Sequence, residues 1–297
     1  MAKIFFKTLI FVFIVLLVSC STKTNESGEK QVKQFQKDTL DDKGKKVTKI
    51  FYNLPSPLEM TLLIQRAGSH YNKDLINPLS NESKYTTNAK MSLNLGVYGT
   101  DLSYARLFDQ IQVSIEYLAK IKKLISKLGI PEEKGGFAVS QIQKHMEHRD
   151  TLLKIIGDTY STTDSYLKEN DRAGSAVLVL VGGWVEALYI SINMIDEKKP
   201  NLEIMERIAE QKYSLSNMLE LLKDYYEDED VFPFVEKLNK LYLAFENIKI
   251  DYKLNKITTD EVNKITTIDS KTDITVTIED IKKISNIVKN IRKEIIE

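Results

Sequence analysis

Two acids set among apolar and small residues are the first candidates for chemistry. Asp101 lies in "LGVYGTDLSYARLF" and Glu186 in "LVGGWVEALYISIN", each followed three residues on by a tyrosine, Tyr104 and Tyr189. Gly96 and Gly99 precede the first acid, and Gly182 and Gly183 the second. A carboxylate in an apolar helix needs a partner or water, because an unpaired buried charge is strongly unfavourable. On a helical wheel Ser175, Gly182, Glu186, Tyr189 and Asn193 form one narrow stripe, with Trp184 on the far side. Glycines let two helix backbones approach closely, so the two segments are expected to face each other across a polar layer. Two readings of that layer stand side by side. In one it is a pocket lined by Asp101, Tyr104, Glu186, Tyr189 and Asn193, with the two acids as acid/base candidates. In the other it is a hydrogen-bonded structural layer, with Lys90 available to neutralise a carboxylate.

Other clusters are weaker. His145 and His148 in "QKHMEHRD" are close enough on a helix to share a metal, but the order His-Met-Glu-His is not the zincin pattern, and a third ligand must come from elsewhere. They read as a solvated helix end. The acidic run Asp224–Asp230 lacks the alternating ligands and central glycine of an EF-hand loop and suits the start of a helix at Pro233 instead. There is no Walker loop, no Gly-x-Ser-x-Gly elbow and no Gly-x-Gly-x-x-Gly. No catalytic residue, metal or cofactor is expected.

The elements that must position these residues read as helices. Six prolines and twelve glycines in 297 residues favour long helices over many tight turns. Ser56, Pro57 and Glu59 make a capping box that opens a helix closed by Gly68. A second helix runs from about Tyr85 to Gln110. A third buries a stripe of Ile111, Ile115, Leu118, Ile121, Ile125 and Leu128, and Gly129 and Pro131 stop it. Leu152, Ile155, Ile156 and Tyr160 mark another. Pro200 and Pro233 open two more, and Thr277 to Asp280 starts the last. The segment 175–195 is apolar nearly all round, which makes it a central helix. Glu186 in its middle and the amphipathic helices on either side argue against a membrane span. Between the helices, "KITTIDSKTDITVT" predicts a small β-hairpin turning at Asp269–Lys271. The expected fold class is all-α, an irregular bundle of roughly seven to nine helices with that one hairpin before the C-terminal helix. No period of 34 to 47 residues supports a helical-repeat array.

The first fifty residues have a different character. Lys3 and Lys7 precede the apolar run Leu9–Val18, which is too short to cross a bilayer. "LVSC" follows, ending at Cys20, the only cysteine in the chain. This resembles the lipobox of bacterial lipoproteins, and the resemblance covers about the first 20 residues. It implies cleavage after residue 19 and lipidation of Cys20, with two or three acyl chains each holding at about 0.8 kcal/mol per buried CH2. Removing Lys3 and Lys7 takes a balanced 42 and 42 charges to 40 and 42, and the lipidated cysteine leaves none for a disulfide or a thiolate site. The chain lacks the Gly-x-His-x-x-Glu motif of imelysin-like envelope lipoproteins. Ser21, in place of the aspartate associated with inner-membrane retention, implies an outer-membrane lipoprotein facing the periplasm. Residues 20–50 are polar and charged and read as a tether with an r.m.s. reach of roughly 30 Å. Residues 51–297 are then the helical periplasmic domain. The partners implied are the membrane, through the lipid, and an envelope protein or small ligand. The absence of basic excess argues against nucleic acid.

Overall fold

The computed structural model describes residues 70–131, 165–260 and 265–297, with single positions between 141 and 163, and the backbone alone for 254–260 and 265–271. Cys20, the tether, the Ser56–Gly68 helix and most of the Leu152–Tyr160 stripe lie outside the described residues. The described residues are mostly helical, with one two-stranded antiparallel sheet before the C-terminal helix. The long helices are α1 (Asn88–Leu107), α2 (Ile111–Lys127), α3 (Ala173–Asn193), α4 (Leu202–Leu222), α5 (Phe232–Phe245) and α6 (Ile278–Ile296).

Their starts are written in side-chain chemistry. Thr87 accepts from the Lys90 N–H at the start of α1, and Asn201 accepts from the Ile204 N–H at the start of α4. Thr277 and Asp280 form the expected reciprocal capping box on α6. Pro233 sits in the first turn of α5, where its missing N–H leaves no hydrogen bond unmade. On α2 the buried side is centred on Ser114, Tyr117, Leu118, Ile121, Leu124 and Ile125. Ile111 and Ile115, expected in that stripe, are exposed at 43% and 38%. They lie about 80° and 120° around the helix from Ile121, at the flank of the apolar face.

Helix α3 is the middle of the fold. One side meets α4, α5 and α6 through Trp184, Val185, Leu188, Leu215, Leu238 and Ile284. The other side joins a second core with α1 and α2 through Ala176, Val179, Tyr98, Leu102 and Leu118. Apolar partners on both sides explain its near-uniform apolarity. The helix is long and apolar enough to cross a membrane, but most of it is buried within the protein. Against α1 the approach is backbone on backbone. A Cβ on Gly96 would strike the Val179 carbonyl, and one on Gly182 the Leu93 carbonyl. Thr100 Oγ1 donates to the Gly183 carbonyl at 3.1 Å across the same seam.

The hairpin differs from its expected form. β1 (Lys249–Asp260) pairs antiparallel with β2 (Ile265–Thr275). Asp269–Lys271 lies inside β2, opposite Lys253, Leu254 and Lys256. Its polar residues mark a charged face rather than a turn. The register slips by one residue between Leu254 and Lys256. That bulge places Ile257 opposite Ile268, in phase with the Ile250–Ile274 pair, so the apolar positions stay on one face.

Glu82 pins the segment before α1 to α2. Its carboxylate is 2% exposed and lies 2.7 Å from Lys123 Nζ, 2.5 Å from Lys127 Nζ and 3.6 Å from Lys120 Nζ. Burial would raise its pKa, but the lysine hydrogen bonds and charges outweigh that and hold it down to about 2.

Two outcomes follow from these contacts. Gly182→Ala is expected to cost about 2 kcal/mol or more by overpacking a backbone contact, read as a lower urea midpoint at unchanged slope; an unchanged midpoint would mean the seam can open. Glu82 ionises below its unfolded-state pKa of about 4.3, so its contribution is present above that value and is lost as pH falls towards 2. Glu82→Gln should therefore cost about 1 kcal/mol at pH 7, less in high salt because the lysines are partly exposed, and only a small part of that at pH 2. Equal losses at both pH values would contradict the ion-pair account.

Candidate functional site

The α1–α3 seam brings Asp101 and Glu186 together, and α6 completes the cluster with Arg292. Glu186 follows the glycine contact by one turn and is fully buried. Arg292 reaches it with two parallel bonds, Nε to Oε2 at 2.6 Å and Nη2 to Oε1 at 2.7 Å. Nη2 also donates to the Leu75 carbonyl at 2.9 Å, and the guanidinium carbon stands 4.0 Å from the centre of the Tyr189 ring. Arg292 is 8% exposed. Burial opposes its charge, but the pair with Glu186 outweighs this and raises its pKa.

Asp101 is also fully buried. Its Oδ2 accepts from the Asn77 N–H at 3.1 Å. No donor approaches Oδ1 among the described residues, and its carboxyl neighbour is Glu186. Two carboxyl groups hydrogen-bond only when a proton lies between them. Burial first, then the charge of Glu186 and the hydrogen bond to it, push Asp101 well above the usual carboxylate range. Arg292 and the Asn77 N–H act in the opposite direction and are outweighed. That shift favours the neutral form of Asp101 beside the Glu186–Arg292 pair.

Asn77 ties this cluster to its surroundings. Its Nδ2 donates to the Tyr85 hydroxyl at 2.9 Å and to Asn94 Oδ1 at 3.2 Å, and Asn81 Nδ2 donates to its Oδ1 at 2.9 Å. Its carbonyl accepts from the Tyr117 hydroxyl. Asn94 Nδ2 in turn donates to the Ile295 carbonyl, Lys90 Nζ to the carbonyls of Glu294 and Ile295, and the Tyr85 hydroxyl to that of Ile296. These bonds satisfy the last turn of α6, whose carbonyls have no partner within the helix.

The expected residues have separate fates. Asp101, Glu186 and Tyr189 share the cluster. The Tyr104 hydroxyl accepts from the Asn72 N–H at 3.0 Å, and its ring packs between Tyr71 and Phe108. Asn193 Nδ2 bonds back to the Tyr189 carbonyl in its own helix at 2.7 Å. Lys90 serves the end of α6 rather than a carboxylate. Trp184, on the far side as its wheel position requires, donates to Gln211 Oε1 at 3.2 Å. The rings of His145 and His148 are 6.3 Å apart, and no group of three His, Cys, Asp or Glu able to hold a metal occurs among the described residues. Two central residues were not singled out from the sequence, Arg292 and Asn77. The signal for Arg292 exists: it follows Ser285 and Val288 on the buried side of α6, and an arginine on an apolar stripe requires an acid elsewhere. Asn77, in "INPLSNE", carries no comparable mark.

No family model, curated protein or solved structure matches this chain. The cluster therefore stands on its own chemistry. Glu186 is fully buried and bonded on both oxygens by Arg292.

Arg292→Leu leaves Glu186 buried and unpaired and is expected to destabilise by about 3–5 kcal/mol, while Glu186→Leu with Arg292→Leu should recover much of that loss. Urea unfolding of the two single variants and the double variant checks this, and additive losses would show that the two side chains do not act as a pair. Asp101 titrates in the opposite sense to Glu82. Its folded-state pKa is raised, so its contribution is complete below the unfolded-state value of about 3.9 and declines as pH rises towards the folded value. Asp101→Asn preserves an acceptor for Asn77 and a donor for Glu186, so its stability relative to the parent should rise with pH from 4 to 8. A steady deficit of several kcal/mol across that range would mean Asp101 is ionised.

Proposed function

We propose that the protein is a lipid-anchored component of a bacterial cell envelope, with a helical body that acts as a non-enzymatic binding or adaptor module. The observation that carries the reading is the "LVSC" sequence, with the chain's single cysteine placed directly after the apolar run. Lipidation at Cys20 supplies the membrane attachment, and the polar stretch to residue 50 lets the body stand off the bilayer. Ser21 favours the outer membrane, facing the periplasm. The state of the two core acids supports a non-enzymatic body. Both are fully buried, and Glu186 is saturated by Arg292, so their role as acid and base on a substrate is the less favoured reading. The function then lies in what the outer faces of the body hold at the membrane, an envelope protein or a small ligand.

Cys20→Ala tests the anchor. Expressed in a bacterium fed labelled fatty acid, the parent chain should take up label and sediment with membranes, and the variant should lose the label and move to the soluble fraction. Equal labelling of the two chains would refute the assignment.

A further inference from the structure

The hairpin carries a pattern that the bundle does not use. The two strands form a sheet of their own, with no third strand among the described residues. A two-stranded sheet is marginal by itself, and its free edges are templates for another strand. The edges differ in exposure. Asp251, Tyr252 and Lys253 on β1 are exposed, Tyr252 at 62%, whereas Thr272, Asp273 and Ile274 on β2 are half-buried.

The stretch of β1 that holds these three exposed residues, Lys249–Asn255, reads "KIDYKLN". Turned on itself about Tyr252 in antiparallel register, it sets Ile250 opposite Leu254 and Asp251 opposite Lys253, each twice, with Tyr252 opposite its own copy. Apolar positions meet apolar positions on one face, and opposite charges meet on the other. The charge match answers a mismatch within the hairpin. In β1–β2 pairing, Asp251 stands directly opposite Asp273, and Lys253 opposite Lys271. Like charges at directly opposed positions are destabilising. Lys253 answers Asp273 diagonally at 2.6 Å, and Asp251 has no ion pair among the described residues. A second β1 brings a second Lys253 to Asp251. The bulge after Leu254 then ends the regular register, which limits the pairing to this short stretch and closes it as a twofold dimer rather than an open fibre. Tyr252 also stacks on the half-exposed Tyr213, with ring centres 5.9 Å apart, so the twofold would gather two such pairs at its centre.

We infer that β1 is a homodimerisation edge: two copies of this chain pair antiparallel over Lys249–Asn255 and form a four-stranded sheet, with their bundles towards opposite ends. Sedimentation velocity of the purified full-length chain in mild detergent, over a range of concentrations, tests this. The parent chain should dimerise. Asp251→Lys and Lys253→Asp should each raise the concentration needed for half-dimerisation at least tenfold. The double variant D251K/K253D restores both cross-copy pairs, and it also sets a lysine opposite Asp273, so it should dimerise as the parent does. In addition, Tyr252→Cys should give on mild oxidation a disulfide between the two copies of position 252, identified by mass spectrometry of the digest. A parent chain that stays monomeric, a dimer indifferent to both single reversals, a foreign segment found on β1 in place of a second copy, or a dimer without the 252–252 link would overturn the inference.

Discussion

The described fold depends on a charged contact in its core. Glu186 on α3 and Arg292 on α6 are 106 positions apart, yet they bond bidentately in a buried site. Asp101 joins them from α1, its pKa pushed up by burial and by Glu186. Such a cluster is tolerable only if its charges cancel and its polar atoms are met. Each condition constrains a different element. Cancelling the charge fixes α6 against α3. Meeting the second donor of Arg292 places the Leu75 carbonyl, and meeting Asp101 Oδ2 places the Asn77 N–H. The segment before α1 is thereby held in place by the chemistry of the last helix.

The glycine seam makes that geometry attainable. With Gly96 and Gly182 the α1 and α3 backbones touch, and the acids five and four residues further along become neighbours. A larger residue at either position would push the helices apart and separate the acids. Apolar packing on both sides of α3 supplies the bulk of the stabilisation, at about 1.5–3 kcal/mol for each large side chain fully buried. The polar cluster selects which of the many possible apolar packings is adopted.

Much of this was legible in the sequence. The helices with strong starts, at Pro200 and Thr277, and the all-round apolar character of α3 follow from local chemistry. The facing of Asp101 and Glu186 followed from their shared glycine context. What could not be read was the third member. Arg292 is distant in sequence, and its partner is defined by tertiary packing alone. The small hairpin before α6 was legible too, but its polar break at Asp269–Lys271 lies within a strand, and only the paired register shows the bulge between Leu254 and Lys256. Ile111 and Ile115 show the limit of a periodic stripe, since a spacing that fits a helix face does not fix which part of that face is covered.

A core closed by internal charge leaves the acids to hold the helices together. With Asp101 pushed upward beside Glu186, a proton is expected between the two carboxyl groups at neutral pH. Isotope-edited infrared spectroscopy of the chain carrying labelled aspartate, compared with Asp101→Asn, reads that proton directly. A protonated carboxyl band at neutral pH that vanishes in the variant is the result this account predicts. Aspartate signals that are entirely carboxylate at neutral pH, and unchanged in their protonated region by the substitution, would contradict it.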